Sequence, residues 1–292
     1  MVGQIFRYID DVTRLYSNNY LTFGKKLAIC SAYTKIVAKR FFDGKIGNFR
    51  NEKFLGFKIS FDSYNDFYWT FREVFVLGDY HFYTENPQPI CIDCGGNIGV
   101  TTMYFKYIYP SAKVFTFEAE PHNVDLIKRN LKDSGITDVT VIGKAVGKEK
   151  CTVVFRGANR MGSIVEDLYE AKKGVQIKKG RVEIENQVEV EVVPLSEYMD
   201  EEHYDVLKMD IEGVEADVLE EINSHGILDK VDQVMLEYHR FSFDKNKLAN
   251  IVKILEEHNY DMAFDSHFKR VTDMIGRKNY AFMIYALKNK LK

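Results

Sequence analysis

Carboxylates recur where apolar runs stop: Asp93 ends the run from Ile90, Glu118 follows Val114–Phe117, Asp210 follows Tyr204–Met209, and Glu237 follows Leu236. An acid at the carboxyl end of a strand in an open sheet can accept hydrogen bonds from ribose hydroxyls or hold a cationic ligand group. Asp93 leads directly into Cys94-Gly95-Gly96-Asn97-Ile98-Gly99, a glycine-punctuated turn before a new apolar-periodic segment. Strand, tight loop and helix start together form a nucleotide-cofactor cradle, with Gly95 and Gly99 admitting sharp turns and the helix offering its first N–H groups. The spacing is not the Gly-x-Gly-x-x-Gly of diphosphate-binding sites. Asp93, with no basic group expected beside it, suits a cofactor that carries an ammonium. Glu118, 25 residues after Asp93, fits a ribose.

A second chemical group gathers around Asp210-Ile211-Glu212-Gly213 and Glu237-Tyr238-His239. His239 is the leading general base, because an ordinary imidazole titrates near neutral pH and can accept a proton. Asp210 is the alternative base and also a candidate to orient the cofactor. Glu212 is expected to cap the following helix or bind the acceptor, and Glu237 to lie on the acceptor side. Arg156 and Arg160, in a glycine-punctuated basic stretch, suit a phosphate or carboxylate on an acceptor. No metal is assigned. Cys91-x-x-Cys94 has no second pair to complete a zinc tetrad, and Cys91 is expected in a buried strand.

These residues need a scaffold of alternating strands and helices. The sequence predicts strands at Ile90–Asp93, Val114–Phe117, Val139–Ile142, Tyr204–Asp210 and Val231–Leu236, with helices at 98–107, 121–133 and from 213. Tyr260–Phe264 and Tyr280–Leu287 read as closing strands after a helix containing Leu248, Ile251, Val252 and Leu255. Upstream, the first 45 residues read as helical, with an inward stripe of Phe23, Leu27, Cys30, Tyr33, Val37 and Phe41. Phe54–Phe61 reads as one strand followed by a turn at Asn65-Asp66.

The segments IDCGGNIG, FEAEPHN and LKMDIEG resemble, in order and approximate spacing, motifs of the FkbM family of adenosylmethionine-dependent methyltransferases. The resemblance covers roughly residues 68 to 240. It implies a class I methyltransferase fold: a Rossmann-like, seven-stranded mixed sheet, here with an N-terminal helical and β extension. It also implies O-methylation of a sugar, glycan or other small natural product with S-adenosylmethionine as cofactor. Asp93 or Asn97 would then help position the methionine portion over Gly95 to Gly99, with Glu118 on the ribose. The backbone at Ala145 and Val146 would face the adenine, and Tyr80 would cover the pocket. Residues 1–85 form the expected extension and 86–292 the catalytic domain, with an insertion near 155–190. The rival readings are an NAD-dependent oxidoreductase and a noncatalytic methyltransferase-like binding protein.

Forty basic and 43 acidic side chains give a formal charge of −3, so no global field recruits nucleic acid, and none is expected as partner. Four cysteines make no disulfide framework. The absence of a long apolar span or a secretion signal leads to the expectation of a cytoplasmic protein. The N-terminal stripe suggests packing on the domain or a homodimer, with peripheral membrane contact as a lesser alternative.

Overall fold

The computed structural model describes residues 2–156, 187–240, 247–265, 269–272 and 278–289. Its core is a sheet in which β5 (Val139–Ile142), β4 (Lys113–Phe117), β3 (Ile90–Cys94), β9 (Tyr204–Met209) and β10 (Val231–Arg240) lie side by side and parallel. β13 (Lys278–Lys288) then inserts antiparallel between β10 and β11 (Tyr260–Phe264). This path of seven strands matches the expected mixed sheet. The short β12 (Lys269–Thr272) adds an eighth strand on β13.

Strand alternation divides the interior into two layers. Cys91, Val206 and Met235 face one side, where they join helix α4 (Val100–Ile108) and the N-terminal aromatics Tyr33, Phe67, Phe71 and Phe75. Ile92, Leu207 and Leu236 face the other, against α6 (Glu215–Ser224) and α7 (Leu248–Glu257). All six residues of β9 are buried. Covering both faces explains its mainly apolar run, and it obliges Asp205 and Lys208 within that run to find partners.

The N-terminal segment departs from expectation in three places. Helices α1 (Val2–Ser17) and α2 (Phe23–Phe42) form, but α2 buries Lys26, Ile29, Tyr33 and Ile36. Phe23, Leu27 and Phe41 instead stay exposed. Two apolar stripes run along this helix, and the one containing Ile29 and Ile36 meets the core. Phe54–Phe61 is not one strand. It is a hairpin of β1 (Asn51–Phe54) and β2 (Phe57–Ser60), turning at Leu55 and Gly56 with φ of 50° and 88°. Asn65-Asp66 is not a turn but the opening of α3 (Tyr64–Phe71), where Ser63 Oγ accepts the Asp66 N–H at 3.2 Å as an N-cap.

α3 continues as a π-helical segment, Arg72–Leu77, and Arg72 forks onto buried Asp11 of α1 at 2.8 and 2.6 Å. A further, three-stranded sheet has as its middle strand a segment overlapping the Val182 to Val193 stretch, whose alternation reads as a strand in the sequence. In it β8 (Gln187–Pro194) pairs parallel with β6 (Ala145–Gly147) and antiparallel with β7 (Cys151–Arg156). No helix among the described residues is long and apolar enough to cross a membrane.

Candidate active site

The loop from β3 to α4 is shaped by what its backbone touches. A Cβ on Gly95 would stand 1.9 Å from the Asp210 carbonyl oxygen, and one on Gly96 would stand 2.3 Å from Thr116 Oγ1. A side chain at Gly95 would have to move the backbone at Asp210, and one at Gly96 would have to displace the buried Thr116 side chain, so these glycines let the loop nest between β9 and β4. The Gly95 and Gly96 N–H groups both donate to Phe117 O, at 3.0 and 2.9 Å, and Gly99 N–H donates to Gly96 O at 2.8 Å. The loop is thus stitched to its own neighbours. That revises the picture of a cradle offering these donors to a ligand.

Glu118 sits beside the loop, half-buried. One carboxylate oxygen accepts the Asn97 N–H at 2.7 Å and the other the Glu120 N–H at 2.8 Å. Burial pushes its pKa up to about 7, against the pull of those two bonds. Each carboxylate oxygen can take more than one donor, so the group retains acceptor capacity for a ligand hydroxyl. Ala145 packs in one apolar cluster with Ala119, next in chain to Glu118, which brings the two expected cofactor regions together. Val146 is buried in the neighbouring core layer.

Asp93 differs from expectation. It is fully buried, and Lys208 Nζ lies 3.1 Å from Oδ1 while Thr102 Oγ1 donates to Oδ2 at 2.8 Å. A basic group therefore does stand beside it. Lys208 is also buried and donates to the Cys94 and Gly95 carbonyls at 3.1 and 2.7 Å. Burial alone would lower the lysine pKa, but Asp93 and Asp210 outweigh it and keep the ammonium charged. Asp93 therefore positions the loop through this pair. Lys208 is the buried residue of this junction that motif reading passed over, although Asp93 and Lys208 are register partners on parallel strands. The available signal was a lysine inside an apolar run, which demands a buried carboxylate.

On the other side of Lys208 lies an acidic rim. Tyr80 Oη is 3.1 Å from Asp210 Oδ2 and 3.3 Å from Glu237 Oε2. Burial, then Asp210 and Glu237, hold the phenol well above its usual pKa, so Tyr80 acts here as a donor. His239 Nδ1 is 2.7 Å from Glu215 Oε1, while Nε2 faces Glu212 Oε2 at 3.5 Å and Asp210 Oδ1 at 4.0 Å. Glu215 also accepts the Gly213 N–H at 2.9 Å. Burial opposes charge on His239, yet Glu212, Glu215 and Asp210 prevail and hold its pKa well above the ordinary value. An imidazolium has no lone pair with which to accept a proton, which revises the role of His239 as general base. Glu212, in left-handed backbone at φ 56°, is pushed up to about 7, chiefly by burial, despite the nearby imidazolium.

The structure thus brings Tyr80, Asp210, Glu212, Glu237 and His239 to one rim, across Lys208 from Asp93, Gly95, Asn97, Gly99 and Glu118. The Arg156 side chain and all of Arg160 lie outside the described residues. Glu215 was also missed; it sits in the first turn of α6, and only the fold carries it to His239. Cys91 and Cys94 are buried with their thiol pKa values raised by burial, as suits small core residues.

A family model described as the methyltransferase FkbM domain matches residues 93–262. The chain is 25% identical over 206 residues to "Methyltransferase 1" of Beauveria bassiana (strain ARSEF 2860), an alignment covering 66% of this chain and 81% of that protein. It is 27% identical over 175 residues to "Methyltransferase sdnD" of Sordaria araneosa, covering 52% and 68% of the two chains. Among solved structures, the methyltransferase FkbM from Methylobacillus flagellatus KT aligns at 13% identity with a TM-score of 0.41, over 96% of this chain and 60% of that one.

Proposed function

Because the chain belongs to the FkbM-domain methyltransferase family, we propose that it is an adenosylmethionine-dependent O-methyltransferase with a class I fold, acting on a hydroxyl of a sugar, glycan or other small natural product. The observation that carries the reading is the placement of Glu118 against the glycine loop on one side of Lys208 and of the Tyr80–Asp210 pair on the other. When bound, adenosylmethionine supplies a methyl group already activated by its positive sulfur. The chain's own contribution is alignment. Glu118 accepts the ribose hydroxyls, and Asn97, whose N–H is tied to that carboxylate, fixes the loop around them. The spent N–H groups of Gly95, Gly96 and Gly99 argue against a diphosphate, and so against the nicotinamide alternative.

The O-methyl reading draws on the rim. An acceptor hydroxyl must lose a proton as its oxygen attacks, and Asp210, with a side chain 30% exposed, is placed to receive it. Tyr80 steadies the opposite oxygen of that carboxylate. Residues 1–85 serve in this reading as the covering segment that delivers Tyr80, with 86–292 as the catalytic domain. Calorimetric titration with adenosylmethionine, adenosylhomocysteine and NAD tests the cofactor: the first two should bind and NAD should not. Glu118→Ala should weaken adenosylhomocysteine binding about tenfold or more, through loss of hydrogen bonds to a charged acceptor. Unchanged affinity would remove the ribose assignment. Transfer of a labelled methyl group to a panel of glycans and polyols identifies the acceptor class.

A further inference from the structure

The outward side of the first two helices is apolar, and the domain beneath does not use it. Ile5, Phe6 and Ile9 on α1 and Phe23 and Leu27 on α2 are each more than half exposed, and Phe41 and Phe42 at the end of α2 stay open too. Contact with the core falls to other residues of the same helices, Asp11 and Leu15 on α1 and Lys26, Ile29, Tyr33 and Ile36 on α2. Successive helical residues turn by about 100°, so Ile5, Ile9, Val12 and Tyr16 form one row and Phe23, Leu27, Cys30, Thr34 and Phe41 another, each about a quarter-turn from the buried face.

The two rows lie side by side. The Tyr16 and Phe23 rings are 6.1 Å apart, centroid to centroid, and further along the seam Tyr8 Oη and Thr34 Oγ1 share a hydrogen bond of 2.6 Å. The hairpin therefore presents an apolar face two helices wide and, over the 16 residues of α1, about 24 Å long. Single exposed apolar side chains are ordinary on a protein surface, whereas a contiguous face of them marks an interaction site.

Charge decides what covers it. Residues 1–50 carry nine basic and three acidic side chains, whereas the remainder of the chain carries 31 and 40. Some of these cations are matched within the fold, Arg14 by Asp10 and both Lys35 and Lys39 by Glu52. Others meet rings or a carbonyl in place of a carboxylate: Arg7 lies 4.9 Å over Trp69, Arg40 4.0 Å over Tyr68 and Lys45 3.5 Å over Phe41, while Arg50 donates to Phe49 O. A second copy of this chain would bring the same positive excess against the first, which disfavours a symmetric pairing through this face. An anionic lipid surface meets both demands, with acyl chains for the apolar rows and negative headgroups for the cations beside them.

We propose that the outward face of the α1–α2 hairpin docks on an anionic membrane surface. The helices lie in the plane of the headgroups, with Ile5, Phe6, Ile9, Phe23 and Leu27 entering the acyl boundary and Arg7 and Lys45 at headgroup level. Packing on the domain, the first expectation for the α2 stripe, is left to Cys30, Tyr33 and Val37. The docking makes no use of the methyl-transfer chemistry and stands or falls apart from it.

The full chain should float with vesicles of phosphatidylcholine containing about one third phosphatidylglycerol, and should bind vesicles of phosphatidylcholine alone about tenfold or more weakly. Phe6→Glu combined with Leu27→Glu, at positions open to solvent, should leave the thermal unfolding midpoint in place while weakening vesicle binding about tenfold or more. Lys45→Ala should weaken it about fivefold and make binding less sensitive to salt. Failure to float, equal binding to neutral vesicles, or binding indifferent to the double substitution would overturn the proposal. So would a dimer in sedimentation equilibrium that the double substitution converts to monomer, which would assign the face to a second copy.

Discussion

The two ends of β9 carry an aspartate each, five residues apart, and the fold treats them in opposite ways. Asp205, at the amino end, is 1% exposed and is closed by Thr84 Oγ1 at 2.7 Å, Asn86 Nδ2 at 3.0 Å and the Ile90 N–H at 2.9 Å. Those donors all come from the segment leading into β3, so the carboxylate latches that segment to the sheet. Asp210 follows the carboxyl end with its side chain 30% exposed, among residues gathered from the 72–82 segment, β9, β10 and the approach to α6. A carboxylate that stabilises is enclosed by neutral donors and spent. The one proposed to act is left reachable, with Tyr80 and His239 beside it. Open sheets place ligands at the carboxyl edge, and here the same strand carries an enclosed carboxylate at one end and a reachable one at the other.

Lys208 tests whether the carboxyl end is also structural. Lys208→Met strands Asp93 in a dry interior and should cost about 4 kcal/mol of stability, read by denaturant titration, and it should remove adenosylhomocysteine binding as the loop loses its anchor. Asp205→Ala should cost about 3 kcal/mol by orphaning its donors. Methyl transfer per folded molecule should persist in that variant, and a lost kcat in a well-folded sample would erase the distinction between the two ends.

Glu118 sharpens the comparison through pH. In the free protein its carboxyl titrates near a pKa of about 7, and ribose hydroxyls donate to the ionised form. Ligand binding therefore releases a proton below that value. Adenosylhomocysteine affinity should rise with pH by up to about tenfold per unit until pH 7 and level off above it. Calorimetry across pH 5.5–8.5 should show this slope in the unmodified protein and none in Glu118→Gln. The smallest effect belongs to the latch: Thr84→Val removes one of its donors and should cost about 1 kcal/mol with ligand affinity unchanged.

Much of the site's address was readable from sequence, because apolar runs that end in an acid followed by glycine mark the carboxyl edge of a parallel sheet. Glu118, Asp210 and the glycine loop fall where the motifs put them. The side-chain roles were less legible. Asp93 looked available because its neutralising lysine lies 115 positions away, and only the register of two parallel strands joins them. His239 looked like a base because its carboxylate neighbours Glu212 and Glu215 belong to the approach and first turn of α6, which folds across to meet β10. The β1–β2 hairpin stayed hidden because leucine at a left-handed turn position is no turn signal. The buried face of α2 was read only in part: Tyr33, Cys30 and Val37 of the expected stripe do pack on the core, whereas Phe23, Leu27 and Phe41 stay exposed because the buried face turns towards Ile29 and Ile36.

Lys208 joins two strand ends with one ammonium: it pairs with Asp93 on β3, donates to the Cys94 and Gly95 carbonyls, and stands 3.9 Å from Asp210 beyond β9. The Asp210 N–H closes the same junction onto Cys94 O at 3.1 Å. Mechanically, this is a rivet. The glycine loop and the acidic rim are fastened into one plate, which Tyr80 reaches from the segment before β3.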